Sequence, residues 1–434
     1  MSKRRFARNV LSYGLGQLAT IATGLVYSVV TARVLGIGGK GELAIFTAMA
    51  TVAAAAFDPG LRPAIGYTAA RGLITPKPLL SIGFTAALIT TSILVLFVTI
   101  SSYGDIWFAA FVGACLARDD VRFVLQGCEK MTEVAVLGLS YSLLSLAVFV
   151  VLVPVLGMGI NGAKAALVVA LSLSIPIGLK LLGIRPRELL GERPSRKLVT
   201  RLLKFGYKAY PAWFFTVLSG RLELFVVAMF LQEQGAGLFS IVLLATELIG
   251  HVPMALGAVL FPRVASDEHS APFYTAKCLR HTIALGVVAT ILCWLLAEPL
   301  VRFLYSEPFL PAAPAMELAS VGWVFMGIRS ILSDYFYGSG LPHWQSLGTA
   351  AYAALALVLS VLLVPRFQLA GAAAAQAVAN FVSAVLLVVV YARDRKQSAA
   401  VMFRFGSDDL RDYGRVLQAL YNSLRQNGAV GSRV

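Results

Sequence analysis

Charged residues are scarce in this sequence. They fill 14% of its 434 positions, where soluble domains carry about 25%. Hydrophobic residues fill 58% and the mean hydropathy is +0.78, which excludes a solvated globular fold. Cysteine is scarce too. Cys115, Cys128, Cys278 and Cys293 lie in or beside apolar runs and show neither metal spacing nor a disulfide framework. The four histidines, His251, His269, His281 and His343, are scattered, so no metal site is expected. No GxxxxGK[ST] loop is present, which excludes ATP as a direct power source. No histidine stands beside a nucleophile, and the polar loops are too short for a catalytic domain. Neither an enzyme nor a cofactor is expected.

What is present is a series of apolar runs, each long enough to cross about 30 Å of hydrocarbon. They predict an all-α polytopic membrane protein of about twelve spans: 10–32, 42–69, 79–101, 105–126, 132–153, 160–183, 207–231, 237–262, 280–304, 312–337, 344–364 and 369–391. The basic start, MSKRRFARNV, runs into more than twenty apolar residues without a small-x-small cleavage site, and reads as an uncleaved first span.

Bases outnumber acids, 37 to 22, for a net charge of +15. Membrane topology explains this better than nucleic acid does. Lys3, Arg4, Arg5, Arg8, Arg71, Lys77, Lys130, Arg263, Lys277, Arg280, Arg393, Arg395 and Lys396 fall in loops of one side. So does the run from Arg185 to Lys208, whereas Arg33, Lys40, Lys164 and Arg366 fall opposite. Both termini are expected in the cytoplasm, as an even number of spans requires.

The chain also repeats itself. LGIGGKGELAIF at 35–46 matches LQEQGAGLFSIV at 231–242, with Gly39 and Gly41 over Gly235 and Gly237. These glycines are expected to supply a tight turn between the first and second helices of each half. VLVPVLGMGINGAKAAL at 151–167 recurs as VLLVPRFQLAGAAAAQA at 361–377, with Pro154 over Pro365 and Gly162-Ala163 over Gly371-Ala372. Two parallel six-helix halves follow, at 1–183 and 207–392, joined by a basic linker at 184–206; parallel repeats are a transporter architecture. The remainder, 393–434, is expected to be a cytoplasmic tail. Ser407 to Gly428 reads as an amphipathic helix with Leu410, Tyr413, Leu417, Leu420 and Leu424 on one face, lying on the membrane or on the bundle.

The second apolar run is broken by charge. In TVAAAAFDPGLRPAIGYTAARG, Asp58 and Arg62 each precede a proline, Pro59 and Pro63, with Gly60 between. Proline removes a backbone donor and pushes the preceding residue away from helical geometry. Charge and loosened backbone at membrane depth require a protein interior or a wet cavity. Arg118 with Asp119, Asp120 and Arg122 interrupts the fourth run. Arg221 and Glu223 lie in the seventh, Glu247 and His251 in the eighth, and Glu317, Arg329 and Asp334 in the tenth. Arginine offers a permanent charge and a fork of donors that matches phosphate. Arg62, Arg221 and Arg329, with Arg118 as a fourth, are the candidate cavity residues for a di-anionic group. Asp58, Glu223, Glu247 and Asp334 are candidate ion-pair partners, and simple interhelical pairing is the competing reading. Pro253 follows its glycine turn at nearly the spacing of Pro59, but no arginine accompanies it, which puts Arg62 first.

Three stretches carry a resemblance. NVLSYGLGQLATIATGLVYSVVTARVLGIGGKGELAIF at 9–46, SGRLELFVVAMFLQEQGAGLFSIVLLATELIGHVPMALGAVLFPRVA at 219–265 and VPRFQLAGAAAAQAVANFVSA at 364–384 resemble bacterial polysaccharide transporters. These are the oligosaccharide-lipid flippases of the multidrug/oligosaccharidyl-lipid/polysaccharide exporter superfamily. The resemblance implies two six-helix bundles around a V-shaped cavity in the bacterial cytoplasmic membrane. It implies alternating access that carries an undecaprenyl-diphosphate-linked sugar outward for exopolysaccharide or O-antigen-like export. It further implies cationic cavity residues that hold the diphosphate, and a polymerase and glycosyltransferases as partners. A coupling ion, H+ or Na+, is left open. The alternative is a cation-coupled multidrug and toxin extrusion antiporter. It is disfavoured because no acid lies between Arg8 and Glu42 and the candidate cavity is rich in permanent cations.

Overall fold

The computed structural model describes residues 3–72, 74–101, 105–190, 195–266 and 269–395. The amphipathic helix expected at 407–428 lies outside them. Regular structure among the described residues is helical throughout: α1 (Lys3–Ala56), α2 (Leu61–Ala70), α3 (Pro76–Ser101), α4 (Ile106–Gly127), α5 (Met131–Val150), α6 (Gly159–Leu182), α7 (Pro186–Leu190), α8 (Arg196–Ser219), α9 (Leu222–Ser266), α10 (Ala271–Tyr305), α11 (Ala312–Gly338) and α12 (Pro342–Arg395).

Among the described residues, eight helical stretches are long and apolar enough to cross a membrane. The stretches at Gly16–Ala56, Leu222–Phe261 and Pro342–Asp394 run to 41, 40 and 53 residues. At 1.5 Å per residue each is at least about twice the hydrocarbon thickness, and each is folded at one sharp backbone turn: Gly36 (φ 69°), Gln232 (φ 55°) and Gln368 (φ 50°). With α4, whose four charges set it apart, the crossings come to about twelve in an all-helical polytopic protein.

Two sequence expectations are corrected here. The turn between the first and second spans is made by Gly36 and its repeat partner Gln232, not by Gly39 and Gly41. Gly39 and Gly235 instead press a helical backbone onto the leucine four residues earlier, with a would-be Cβ 2.9 Å from Leu35 and 2.2 Å from Leu231. Gly41 and Gly237 face each other: a Cβ on Gly41 would meet the Glu233 carbonyl, and one on Gly237 the Ile37 carbonyl. The second correction concerns the seventh span. The helix that carries it, α8, already begins at Arg196, in the stretch expected as a linker, and the expected run 207–231 is interrupted at Gly220–Arg221, where α8 gives way to α9.

The second repeated motif also has structure behind it. Pro154 cannot donate, and the chain widens there into one π-helical turn over Val151–Val155, with Leu156 N–H bonding Val151 O at 3.0 Å. Gly162 then packs on the Leu152 carbonyl, and its counterpart Gly371 packs on that of Leu363.

The chain forms two compact units. The first contains the described parts of Met1–Leu244, Glu298–Ala315 and Leu357–Ala372; the second contains those of Ala245–Ala297, Met316–Ala356 and Ala373–Val434. Two cores are formed among the described residues of the first unit. One gathers Leu43, Phe46, Phe111, Phe149 and Leu171, with Phe46 edge-on to Phe111 at 5.6 Å. The other gathers Leu61, Ile65, Leu79, Val121, Leu125 and Leu137 around α2. Lipid is as apolar as leucine, so such helices associate by close packing rather than by leaving water. Outside the apolar region, Lys77 pairs with Glu188 at 2.8 Å, ties α7 to α3 and holds the Glu188 carboxyl below its usual range. The second unit is centred on Ile331, Tyr335, Phe336, Leu387 and Tyr391; Tyr335 and Tyr391 meet edge to face at 4.6 Å.

Candidate functional site

The site grows from the gap between α1 and α2. After Ala56 the chain cannot continue as helix, because Pro59 offers no N–H and Gly60 turns left-handed at φ 76°. Asp58 accepts the first N–H of α2, from Leu61, at 2.7 Å. A carboxylate suits that end of a helix dipole. Pro63 falls in the first turn of α2, where a missing N–H costs nothing.

That arrangement aims Arg62 inward. Arg62 is 2% exposed. Its Nη1 lies 3.1 Å from Asp58 Oδ1 and its Nε 3.3 Å from Asp120 Oδ1 on α4. Nε also donates to the Leu116 carbonyl at 3.4 Å. Asp120 fits only because the facing residue of α3 is Gly83, where a Cβ would lie 2.4 Å from the carboxyl carbon. Next to Asp120 on α4, Asp119 takes Arg122 at 3.0 Å and Arg118 at 3.8 Å. The Arg118 and Arg122 guanidinium groups lie over the rings of Tyr141 and Phe123, at 4.8 and 4.9 Å.

Arg62, Arg118 and Arg122 thus share one cluster with Asp58, Asp119 and Asp120, its formal charges balanced. Several buried polar atoms in it make no hydrogen bond: Arg62 Nη2, Arg118 Nε, Asp58 Oδ2, Asp120 Oδ2, and Asp120 Oδ1, whose contact with Arg62 Nε is an ion pair only. Buried polar groups are ordinarily satisfied, and a concentration of exceptions marks a strained or ligand-ready place.

α8 covers the gap. A Cβ on Gly60 would lie 2.1 Å from the Gly206 carbonyl, and one on Gly206 would lie 2.7 Å from that of Gly60. Tyr210 donates to Ala56 O at 3.1 Å, and so satisfies a carbonyl that the interrupted helix leaves open. Tyr67 stacks on Phe205 at 4.5 Å, and Trp213 meets Phe123 edge-on at 5.7 Å.

Of the other sequence candidates, Arg221 occupies the junction of α8 and α9, half-buried, with its N–H on Leu218 O at 2.9 Å. Glu223, in the first turn of α9, is 1% exposed. Arg329, Glu247 and Asp334 belong to the second unit. There Arg329 donates to Asn380 at 3.3 Å and lies over Tyr352 at 4.7 Å. The carbonyl of exposed Glu247 bonds His251 Nδ1 at 2.7 Å, and the Asp334 carboxylate fills the space that Gly257 leaves.

Sequence reasoning noted Asp120 but did not assign it to Arg62, and it missed Gly83, Gly206 and Tyr210. The ARDDVR run held the signal for Asp120. The glycines gave none, since their meaning lies in what approaches them from another helix. Lys40 and Lys164, assigned from sequence to loops, are both held in helices. Lys40 is buried on three oxygens, the Ser28 carbonyl (3.3 Å), Ser28 Oγ (3.1 Å) and Thr31 Oγ1 (3.0 Å). Lys164 bridges Glu42 (2.8 Å) and Asp105 (2.9 Å).

Residues 226–408 match the lipid II flippase MurJ family. An uncharacterised membrane protein of Methanocaldococcus jannaschii is 24% identical over 186 residues, 41% of this chain and 36% of the relative, so the chain matches little more than a third of that relative's length. Among solved structures, a lipid II flippase MurJ in an inward closed conformation superposes with a TM-score of 0.67 at 14% identity, covering 87% of each chain. A Vibrio cholerae MATE transporter superposes at 0.64 and 14% identity, covering 92% of this chain and 99% of its own. A MOP superfamily transporter from Pyrococcus furiosus gives 0.62 and 15% identity, covering 92% and 96%. At these identities the likeness is one of fold, shared with all-helical membrane transporters.

Proposed function

We propose that this protein is a lipid-linked oligosaccharide flippase. It moves an undecaprenyl-diphosphate-linked sugar across a bacterial cytoplasmic membrane by alternating access between two six-helix halves, 1–183 and 207–392, with both termini in the cytoplasm. The observation that carries the reading is the arginine cluster at the interrupted second span. Arg62 Nη2 and Arg118 Nε are buried donors with no acceptor, and a diphosphate is the acceptor that matches forked donors of permanent charge. Asp58 and Asp120 hold Arg62 until a stronger anion competes for it. Arg221 and Arg329 complete the proposed substrate set. The match of residues 226–408 to a lipid II flippase family supports a lipid-linked substrate.

The test replaces Arg62, Arg118, Arg221 and Arg329 singly by Ala, confirms membrane insertion, and measures cell-surface polysaccharide. Loss of export per folded molecule by about tenfold or more is expected for Arg62 and Arg118, since one charge-assisted contact is worth about 1.5–3 kcal/mol. Normal export in all four variants sinks the site. The multidrug antiporter reading stands second, favoured by the fold likeness to a MATE transporter. It predicts that deleting the protein leaves polymer intact and sensitises cells to cationic dyes.

A further inference from the structure

Away from the arginine cluster, the end of α10 meets α1 in an open pocket of about 510 Å³, lined by Arg33, Glu298, Pro299, Arg302 and Phe303. All five residues belong to the first unit. Arg33 Nε donates to the Leu304 carbonyl at 2.7 Å, and its guanidinium also donates to the Phe303 carbonyl. The side chain therefore caps the negative end of the α10 dipole and is fixed in place. A guanidinium has five N–H donors, so donors remain for a ligand. Across the pocket, Arg302 Nη2 lies 3.1 Å from Glu298 Oε1, one helical turn away. Two arginines and one glutamate leave a formal charge of +1.

The surroundings identify the ligand. Phe303 is 75% exposed, and Leu300, Val34 and Val26 are exposed as well. Exposed apolar side chains on membrane-crossing helices meet acyl chains. The charged groups stand where those helices end, at Tyr305 for α10 and at the Gly36 turn for α1, which is the depth of lipid headgroups. A free anion has no use for the apolar flank, and a neutral lipid has none for the net charge.

We infer that this pocket binds an anionic phospholipid, its phosphate between Arg33 and Arg302 and its acyl chains along Phe303, Leu300 and Val34. The site is independent of the transported substrate and of the flippase reading. The experiment titrates phosphatidylglycerol or phosphatidylcholine into the detergent-purified full-length protein and reads bound lipid by native mass spectrometry. Phosphatidylglycerol should bind more tightly. Arg302→Gln, which removes the net charge, should weaken it about fivefold, and Glu298→Gln, which raises the charge to +2, should tighten it about fivefold. Neither variant touches the Arg33 cap, so both should fold. Equal affinity for the two lipids overturns the assignment, as does a shift of both variants in the same direction. Displacement of phosphatidylglycerol by millimolar inorganic phosphate also overturns it, since a free phosphoryl group is then the ligand.

Discussion

Gln232 adopts φ 55° and ψ −155°, nearly the backbone angles of Gly36 at the matching position of the first half. That conformation is essentially reserved for glycine and costs other residues about 1–3 kcal/mol. Gln232→Gly should therefore raise the thermal midpoint of the detergent-solubilised protein, and Gly36→Gln should lower it. Unchanged midpoints in both variants would refute the strain. Arg62 invites a different test. Removing it strands two buried carboxylates, a loss of about 3–5 kcal/mol, so Arg62→Met alone should lower folded yield severely. Adding Asp58→Asn and Asp120→Asn should recover most of it; if the triple variant is no better than the single one, the carboxylates are not what Arg62 neutralises. At this scale the sequence was legible where a residue's chemistry alone is unusual, as with Asp58 and Arg62 between prolines. It was illegible where meaning comes from a neighbour. Nothing in the surroundings of Gly83 announces that a carboxylate from α4 occupies its missing side chain.

At the scale of elements, α2 and α8 are held together by two glycines laid backbone to backbone. Gly60→Ala would meet the Gly206 carbonyl and also force alanine to φ 76°, a conformation costing about 1–2 kcal/mol in itself. Gly206→Ala meets the same contact from the other side. Each variant should destabilise the protein, and the double variant should lose clearly less than the sum of the two, because they break one contact. Additive losses in thermal melts would separate the two sites. The helices themselves were largely legible, since apolar length in a membrane protein is a direct physical requirement. The interruption at Gly220–Arg221 was not, because an apolar run has the same composition whether or not it is continuous. The early start of α8 was hidden for a related reason. Its first turns, RKLVTRLLK, are too basic to count as a span, yet they continue the same helix.

At the scale of the whole molecule, the repeat seen in two short motifs reappears as geometry. Gly36 and Gln232 share an angle, and Gly162 and Gly371 share a close approach to the preceding helix. The matched pair Gly41 and Gly237 goes further, each resting on a main-chain carbonyl of the other's turn. Such a joint has no side chains between its faces, and hence no rotamers to take up shear. Its two turns can rotate about the contact but cannot slide along it without a collision of main chains. In mechanical terms it is a fulcrum, and the two repeats share it whatever each does elsewhere. Spin labels on cysteines introduced at the matching exposed positions Val34 and Phe230 should report one narrow distance. That distance should stay fixed on adding a lipid-linked diphosphate sugar, even where distances at the opposite ends of the same helices change.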